Sequence, residues 1–128
     1  MSASGKKVLI VEDGEALNRM IQFLLMSKGY LIEYAHNGIE AMAILEKTRP
    51  DAIILDLMMP EMDGYELCER LKKNKQYKET PIIILSSLEA CRHGNILKSM
   101  GASDYIEKPF TSADLLEKVS TALASSVN

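Results

Sequence analysis

Short apolar runs alternate with stretches of helical periodicity along the chain. Continuous runs of four apolar residues begin at Val8, Ala52 and Ile82, and segments 30–35 and 103–107 also have strand character. Between these segments apolar residues recur at intervals of three and four, as on the buried side of an amphipathic helix. The pattern predicts five strands alternating with five helices.

Several helix boundaries have recognisable start and stop residues. Asn37 with Glu40, and Thr111 with Asp114, have the spacing of helix N-caps, and Gly29 follows the last periodic residue of the first helix. These signals place the first, second and fifth helices. The periodic positions also predict which helical side chains face the core, among them Met20, Ile39, Met42, Leu45 and Met100.

The strands that are apolar at consecutive positions should be buried on both faces. Together with the alternation of strand and helix, this predicts an α/β fold: a doubly wound parallel sheet with helices on both sides. No repeat, low-complexity stretch or linker interrupts the pattern. We therefore expect a single domain over 1–128, with its core at about 6–124, a polar tail at 1–5 and a frayed end at 125–128.

Composition and charge narrow the function classes. The net charge of -3 does not indicate a positively charged binding surface, so we expect no direct contact with nucleic acid or an anionic membrane. No apolar run approaches the roughly 20 residues of a membrane span. Cys68 and Cys91 have neither metal-site nor redox-motif spacing, which favours a reducing, cytoplasmic location.

Polar residues stand where the predicted strands end. Ligands of open parallel sheets bind outside the carboxyl ends of the strands. Clustered carboxylates repel each other unless a cation neutralises them, and oxygen ligands at an open site suit Mg2+, with Mn2+ as an alternative. Unconnected polar caps would explain any one of these residues, but not the whole set. The set is Glu12 and Asp13, Asp56, Ser86, and Lys108.

In this order along the chain, the motifs resemble the receiver domain of two-component response regulators, of the chemotaxis type. The resemblance runs from about Lys6 to Leu123, and it implies a flavodoxin-like (βα)5 fold with strand order 2-1-3-4-5. The matching stretches are VLIVED at 8–13, DLMMPEMDG at 56–64, PIIILS at 81–86, GASDY at 101–105 and KPF at 108–110.

For the reacting groups, the resemblance implies that Asp56 is the phosphoacceptor and takes a phosphoryl group from a phosphohistidine. It implies that Asp13, Asp56 and the backbone carbonyl of Met58 hold Mg2+, with Glu12 acting through water. Lys108 would pair with a phosphoryl oxygen. Such a protein is no enzyme in the usual sense, because it catalyses only its own phosphorylation and dephosphorylation.

For the switch, the resemblance implies that Ser86 binds another phosphoryl oxygen and that Tyr105 turns inward as Ser86 moves. Pro109 would follow Lys108 through a cis peptide bond, which is plausible only before proline. Ser87 stands where the family usually has a small residue. Met58 and Leu88 would flank the path of an attacking water and so affect the lifetime of the phosphorylated state.

The implied partners are a sensor histidine kinase or a histidine phosphotransfer protein, and a downstream protein target. We expect the target to bind the surface made by the fourth helix (about 88–100), the fifth strand and the fifth helix. The fourth helix has the weakest local signal, because Gly94 lies inside it. A phosphorylation-dependent homodimer is a further expectation. The chain is either a stand-alone receiver or a part of a longer regulator or hybrid kinase.

Three other functions share part of this pattern. A dehalogenase-type phosphatase needs a second Asp two residues after its nucleophile, where this chain has Met58. A flavodoxin-type carrier needs a phosphate loop rich in Ser, Thr and Gly after the first strand, where this chain has Glu12 and Asp13. A receiver that acts only as a scaffold would not need the complete set of Asp56, Ser86 and Lys108.

Overall fold

Five parallel strands form one sheet in the computed structural model, which describes residues 5–56, 64–86 and 101–125. The order in the sheet is β2-β1-β3-β4-β5, so the predicted flavodoxin-like topology is confirmed. All four strand pairs are parallel. The strands are β1 (Lys7–Val11), β2 (Leu31–Ala35), β3 (Ala52–Asp56), β4 (Ile82–Ser86) and β5 (Asp104–Glu107).

Four helices lie within the described ranges, and none of these four is long and apolar enough to cross a membrane. Three predicted site residues, Met58, Ser87 and Leu88, lie outside the described residues, as does the helix predicted at about 88–100. The helices are α1 (Glu15–Met26), α2 (Gly38–Leu45), α3 (Gly64–Lys73) and α4 (Ser112–Ser125), the last of which is the fifth predicted helix.

The central strands bury both of their faces, as their continuous apolar sequences predicted. Leu9 and Leu55 point to a core that they share with α2 and α3. Ile10 and Ile54, the next residues along the same strands, point to a second core that contains residues of α1 and α4. The alternation follows from the two-residue period of a strand. This burial fixes the register, and therefore fixes which residues end each strand.

Two predictions about the core were wrong. Met20 is 44% exposed and Ile39 is 54% exposed, although both lie at helical spacing. Helix α1 packs on the sheet through Ile21 and Leu25, which are fully buried, and Met20 lies beside that contact line. An apolar stripe wider than the buried face of its helix leaves its outer residues in solvent.

The predicted N-caps are confirmed at two helices. The side chain of Asn37 accepts a hydrogen bond from the backbone N–H of Glu40 at 2.8 Å. At α4 the hydroxyl of Thr111 accepts from the backbone N–H of Asp114 at 3.0 Å. Each cap satisfies one of the free amides at a helix start. The cap at Thr111 fixes the start of α4 a few residues after Lys108.

Gly101 holds the chain in a conformation that other residues rarely adopt, just before β5. Its φ is +109°, and a Cβ there would lie 2.2 Å from Cγ of Lys72. Lys72 itself donates hydrogen bonds to the carbonyls of Lys78 and Thr80, at 2.9 and 2.8 Å. An alanine at position 101 would therefore strain the backbone and displace Lys72 from both carbonyls.

We expect Gly101→Ala to lower the free energy of unfolding by about 2–3 kcal/mol, from backbone strain and the lost hydrogen bonds. Urea unfolding followed by circular dichroism measures this. Gly5→Ala is the matched control, because Gly5 also has a positive φ, +85°, but a Cβ there meets nothing within 4 Å. Equal losses in the two variants would mean that the contact with Lys72 contributes nothing.

Candidate metal and phosphoryl site at the carboxyl edge of the sheet

Three carboxylates and one ammonium meet at the carboxyl edge of the sheet. Glu12 and Asp13 directly follow β1, and Asp56 is the last residue of β3, the neighbour of β1 in the sheet. Lys108 directly follows β5. The structure thus brings together residues from three strand ends that are far apart in the sequence, because parallel strands all end at the same edge.

The three carboxylates have the geometry of a possible cation site. One oxygen from each of Glu12, Asp13 and Asp56 lies within 4.8 Å of the others. Glu12 and Asp56 are only 3% and 4% exposed, whereas Asp13 is open to solvent. Buried carboxylates this close repel each other and lose hydration, and both effects favour a bound cation. Three oxygen donors with one open side fit Mg2+, which keeps several of its waters.

Lys108 partly neutralises this cluster. Its ammonium donates a hydrogen bond to Oδ2 of Asp56 at 3.0 Å and lies 3.6 Å from Oε1 of Glu12. Burial by itself would lower the pKa of Lys108, but the hydrogen bond to Asp56 and the charges of Asp56 and Glu12 outweigh it, so the pKa is raised. Lys108 therefore stays charged. The peptide bond between Lys108 and Pro109 is cis.

Glu12 is the most perturbed member of the site. Burial is the largest cause that raises its pKa, to about 7, and Asp56 adds to the effect, while the Gly14 amide and Lys108 oppose it. Its Oε2 accepts a hydrogen bond from the Gly14 N–H at 2.9 Å. Its buried Oε1 accepts none from the residues that the structure describes. A buried carboxylate oxygen that accepts no hydrogen bond can bind a cation or accept a hydrogen bond from a cation-bound water.

Ser86 and Tyr105 lie on the two strands beyond Asp56. Ser86 is the last residue of β4 and is 3% exposed, and its carbonyl accepts a hydrogen bond from the backbone N–H of Lys108 at 2.8 Å. Tyr105 lies opposite Ile84 in the register, further from the edge than Ser86, and packs against the core shared by α2 and α3. Asp56 and Ser86 were predicted to end the third and fourth strands, and they are the last described residues of β3 and β4.

Sequence reasoning missed Asn18, a fully buried polar residue of α1. Its side-chain amide donates to the backbone carbonyls of Glu12 and Ala35, at 2.9 and 3.1 Å. The available signal was an amide at a helical position next to the core residues Ile21 and Leu25, on the side of α1 that faces the sheet. A buried polar side chain needs partners, and here those partners are the ends of β1 and β2.

Comparison with known protein families gives one clear assignment. The family model of the response regulator receiver domain matches residues 8–120. A curated relative, "Response regulator MprA" of Mycobacterium ulcerans, is 34% identical over 117 residues, which are 91% of this chain and 50% of that protein. The chain thus spans about half the length of the curated relatives that it matches.

Solved structures agree with this assignment. The receiver domain of a signal transduction histidine kinase from Syntrophus aciditrophicus is 38% identical, with a TM-score of 0.85 over 97% of this chain and 93% of that one. The receiver domain of the sensor histidine kinase PA1611 from Pseudomonas aeruginosa is 30% identical, with a TM-score of 0.84 over 94% of this chain and 99% of that one. The latter has a magnesium ion coordinated in its active-site cleft.

Proposed function

The chain belongs to the response regulator receiver domain family, and on that premise we propose that Asp56 accepts a phosphoryl group from a phosphohistidine of a partner protein. One observation carries the proposal: the buried Asp56 carboxylate lies at the sheet edge with two further carboxylates and a hydrogen-bonded Lys108. This combination supplies a nucleophile, a candidate cation site and a fixed positive charge at one place.

In the proposed reaction, a carboxylate oxygen of Asp56 attacks the phosphorus atom of the donor. The new bond joins that oxygen to phosphorus, and the phosphorus–nitrogen bond of the phosphohistidine breaks, leaving its electron pair on the imidazole nitrogen. The product is an acyl phosphate on Asp56. There is little covalent chemistry for the protein to perform, so positioning and charge stabilisation carry the rate. We propose no separate substrate, only phosphorylation of the chain and its hydrolytic reversal.

We propose that Asp13 and Asp56 bind Mg2+ directly, with the Met58 carbonyl as a third ligand and Glu12 acting through water. Mn2+ would serve as a substitute. When bound, the ion neutralises negative charge that develops on the transferring phosphoryl group. The donor chemistry of the acidic cluster supports this choice, as does the magnesium ion bound by the related Pseudomonas receiver.

Lys108 and Ser86 are the proposed partners of the phosphoryl oxygens. Lys108 already contacts Asp56, and the buried Ser86 hydroxyl belongs to the next strand end. Phosphorylation adds a charge of about -1.5 to -2 and three acceptor oxygens, enough to draw a serine hydroxyl toward the site. In this proposal Tyr105 turns inward in response, and Ser87 and Leu88 border the path of water.

The proposed readout is a change in protein binding. We assign it to the surface formed by the predicted helix at about 88–100, β5 and α4. Tyr105 lies in β5, and Lys108 lies between β5 and α4, so a change at the site reaches this surface directly. The partners are a histidine kinase or phosphotransfer protein as donor and a downstream protein as target, in the cytoplasm. Phosphorylation could equally be read out as formation of a homodimer, which we propose as a second form of the response. We also propose that residues 1–128 fold as one receiver domain.

The test of the proposed function is intact mass spectrometry after incubation with acetyl phosphate. We expect a mass gain of one phosphoryl group when Mg2+ is present and none when EDTA removes the metal. A folded chain that gains no phosphoryl group and also fails to bind beryllofluoride would refute the proposal. It would favour a receiver used as a scaffold.

A further inference from the structure

A buried amide connects helix α1 to the backbone of the acidic site. The side chain of Asn18 is fully buried, and its Nδ2 donates to the carbonyl of Glu12 at 2.9 Å and to the carbonyl of Ala35 at 3.1 Å. The backbone N–H of Glu12 donates to the same Ala35 carbonyl at 3.1 Å. Asn18 therefore fastens the first residue after β1 to the last residue of β2.

The carbonyl that Asn18 holds belongs to the peptide that leads into Asp13. Because a peptide unit is planar, fixing the carbonyl of Glu12 also fixes the N–H and the Cα direction of Asp13. The side chain of Glu12 is fixed separately, by the hydrogen bond from Gly14. Two independent contacts thus hold the Glu12–Gly14 turn, one on its backbone and one on its carboxylate.

Asn18 is itself held in one orientation. Its Oδ1 accepts a hydrogen bond from Nε2 of Gln22 at 2.8 Å, which directs Nδ2 toward the two carbonyls. The backbone N–H of Asn18 donates to the carbonyl of Gly14 at 2.9 Å, within the first turn of α1. The contacts form a short chain from Gln22 to the acidic turn.

We propose that Asn18 is a positioning residue that preorganises Glu12 and Asp13 for cation binding. The inference rests on the proposed Mg2+ site and extends it to a residue that touches neither cation nor phosphoryl group. Without the amide, the Glu12–Asp13 peptide can rotate, and the cluster must be ordered again each time a cation binds. Groups that orient metal ligands typically change metal affinity by about 10–100-fold when removed.

The test compares Mg2+ affinities by isothermal titration calorimetry. Asn18→Leu keeps the approximate volume and removes the donor, and we expect its dissociation constant for Mg2+ to rise at least about tenfold. Asn18→Ser keeps one donor in less space and should show a smaller rise. It also serves as the test variant if Asn18→Leu does not fold. Gln22→Ala removes the contact that orients the amide but keeps the Nδ2 donor, and it should show the smallest rise.

A control separates positioning from general stability. Ile21→Val removes a buried methyl group from the same helix, so it should lower the melting temperature and leave Mg2+ affinity unchanged. The amide nitrogen signal of Asp13 in NMR spectra is a second readout, because it shares a peptide with the Glu12 carbonyl. We expect it to shift in metal-free Asn18→Leu and to stay in place in Ile21→Val.

The outcomes distinguish this inference from the proposed function. If the unmodified chain binds no Mg2+, the proposed metal site is wrong and the inference goes with it. If the unmodified chain binds Mg2+ and the folded Asn18 variants bind it equally well, only the positioning role is wrong. A loss of affinity that merely follows the melting temperature, and appears in Ile21→Val too, would also overturn it.

Discussion

Asp56→Asn should gain no phosphoryl group from acetyl phosphate under conditions in which the unmodified chain is fully labelled. An amide at this position has nearly the shape of the carboxylate but no nucleophilic oxygen, so the proposed acyl phosphate cannot form. Asp56 is 4% exposed at the end of β3, and its neighbours should hold the amide in the same place. Intact mass spectrometry, with Mg2+ and with EDTA, measures the loss.

The same variant should remain folded. Asp56 and Glu12 are like charges in a buried cluster, and Asp56 contributes to the raised pKa of Glu12. Replacing Asp56 by a neutral residue removes that repulsion, so we expect an unchanged or higher melting temperature without metal. Asp114→Asn is the matched control, because Asp114 is an exposed carboxylate at the start of α4. Labelling that persists in Asp56→Asn and disappears in Asp114→Asn would refute the assignment.

The fold was predictable because the sequence signals agree with each other. Four-residue apolar runs at Val8, Ala52 and Ile82 belong to strands that need burial on both faces, and only a sheet between two layers of helices provides it. The strand order came from the family resemblance and not from the runs, since several orders would bury the same residues. The sheet confirms that order.

The charged cluster was predictable for a related reason. Glu12 and Asp56 each end an apolar run, and Lys108 follows the fifth predicted strand. The common direction of parallel strands places such residues at one edge. What the sequence did not indicate was how far Glu12 is buried, which depends on the packing of the turn after β1. The burial of Glu12 is what raises its pKa, to about 7.

The contribution of Asn18 could not be predicted in the same way. Its partners are backbone carbonyls, and since every residue has one, the sequence does not show which carbonyls a side chain will contact. The exposure of Met20 was missed for a different reason. Spacing gives the angular position of a residue on a helix, but it does not give the width of the helix face that the sheet covers. Both cases depend on how α1 is seated on the sheet.

Lys108→Ala should change phosphorylation and Mg2+ affinity in opposite directions. The Lys108 ammonium contacts Asp56 at 3.0 Å, and a fixed charge at the reacting group typically contributes a factor of about 10²–10³ in rate. We expect the labelling rate with acetyl phosphate to fall by about that factor. Removing the ammonium also removes a positive charge that competes with Mg2+ for Glu12 and Asp56, so Mg2+ should bind several-fold more tightly.

The matched control for this prediction is Lys118→Ala. Lys118 pairs with Asp104 at 2.9 Å, and its side chain is 38% exposed, against 32% for Lys108. It therefore removes a similar ion pair away from the acidic cluster and should alter neither rate nor affinity. Calorimetry and the mass assay on the same preparations measure both quantities. If Lys108→Ala weakens Mg2+ binding and slows labelling to the same extent, Lys108 supports the site only through its structure. A slower labelling rate together with tighter Mg2+ binding requires that the charge of Lys108 competes with Mg2+ before the reaction and stabilises the phosphoryl group during transfer.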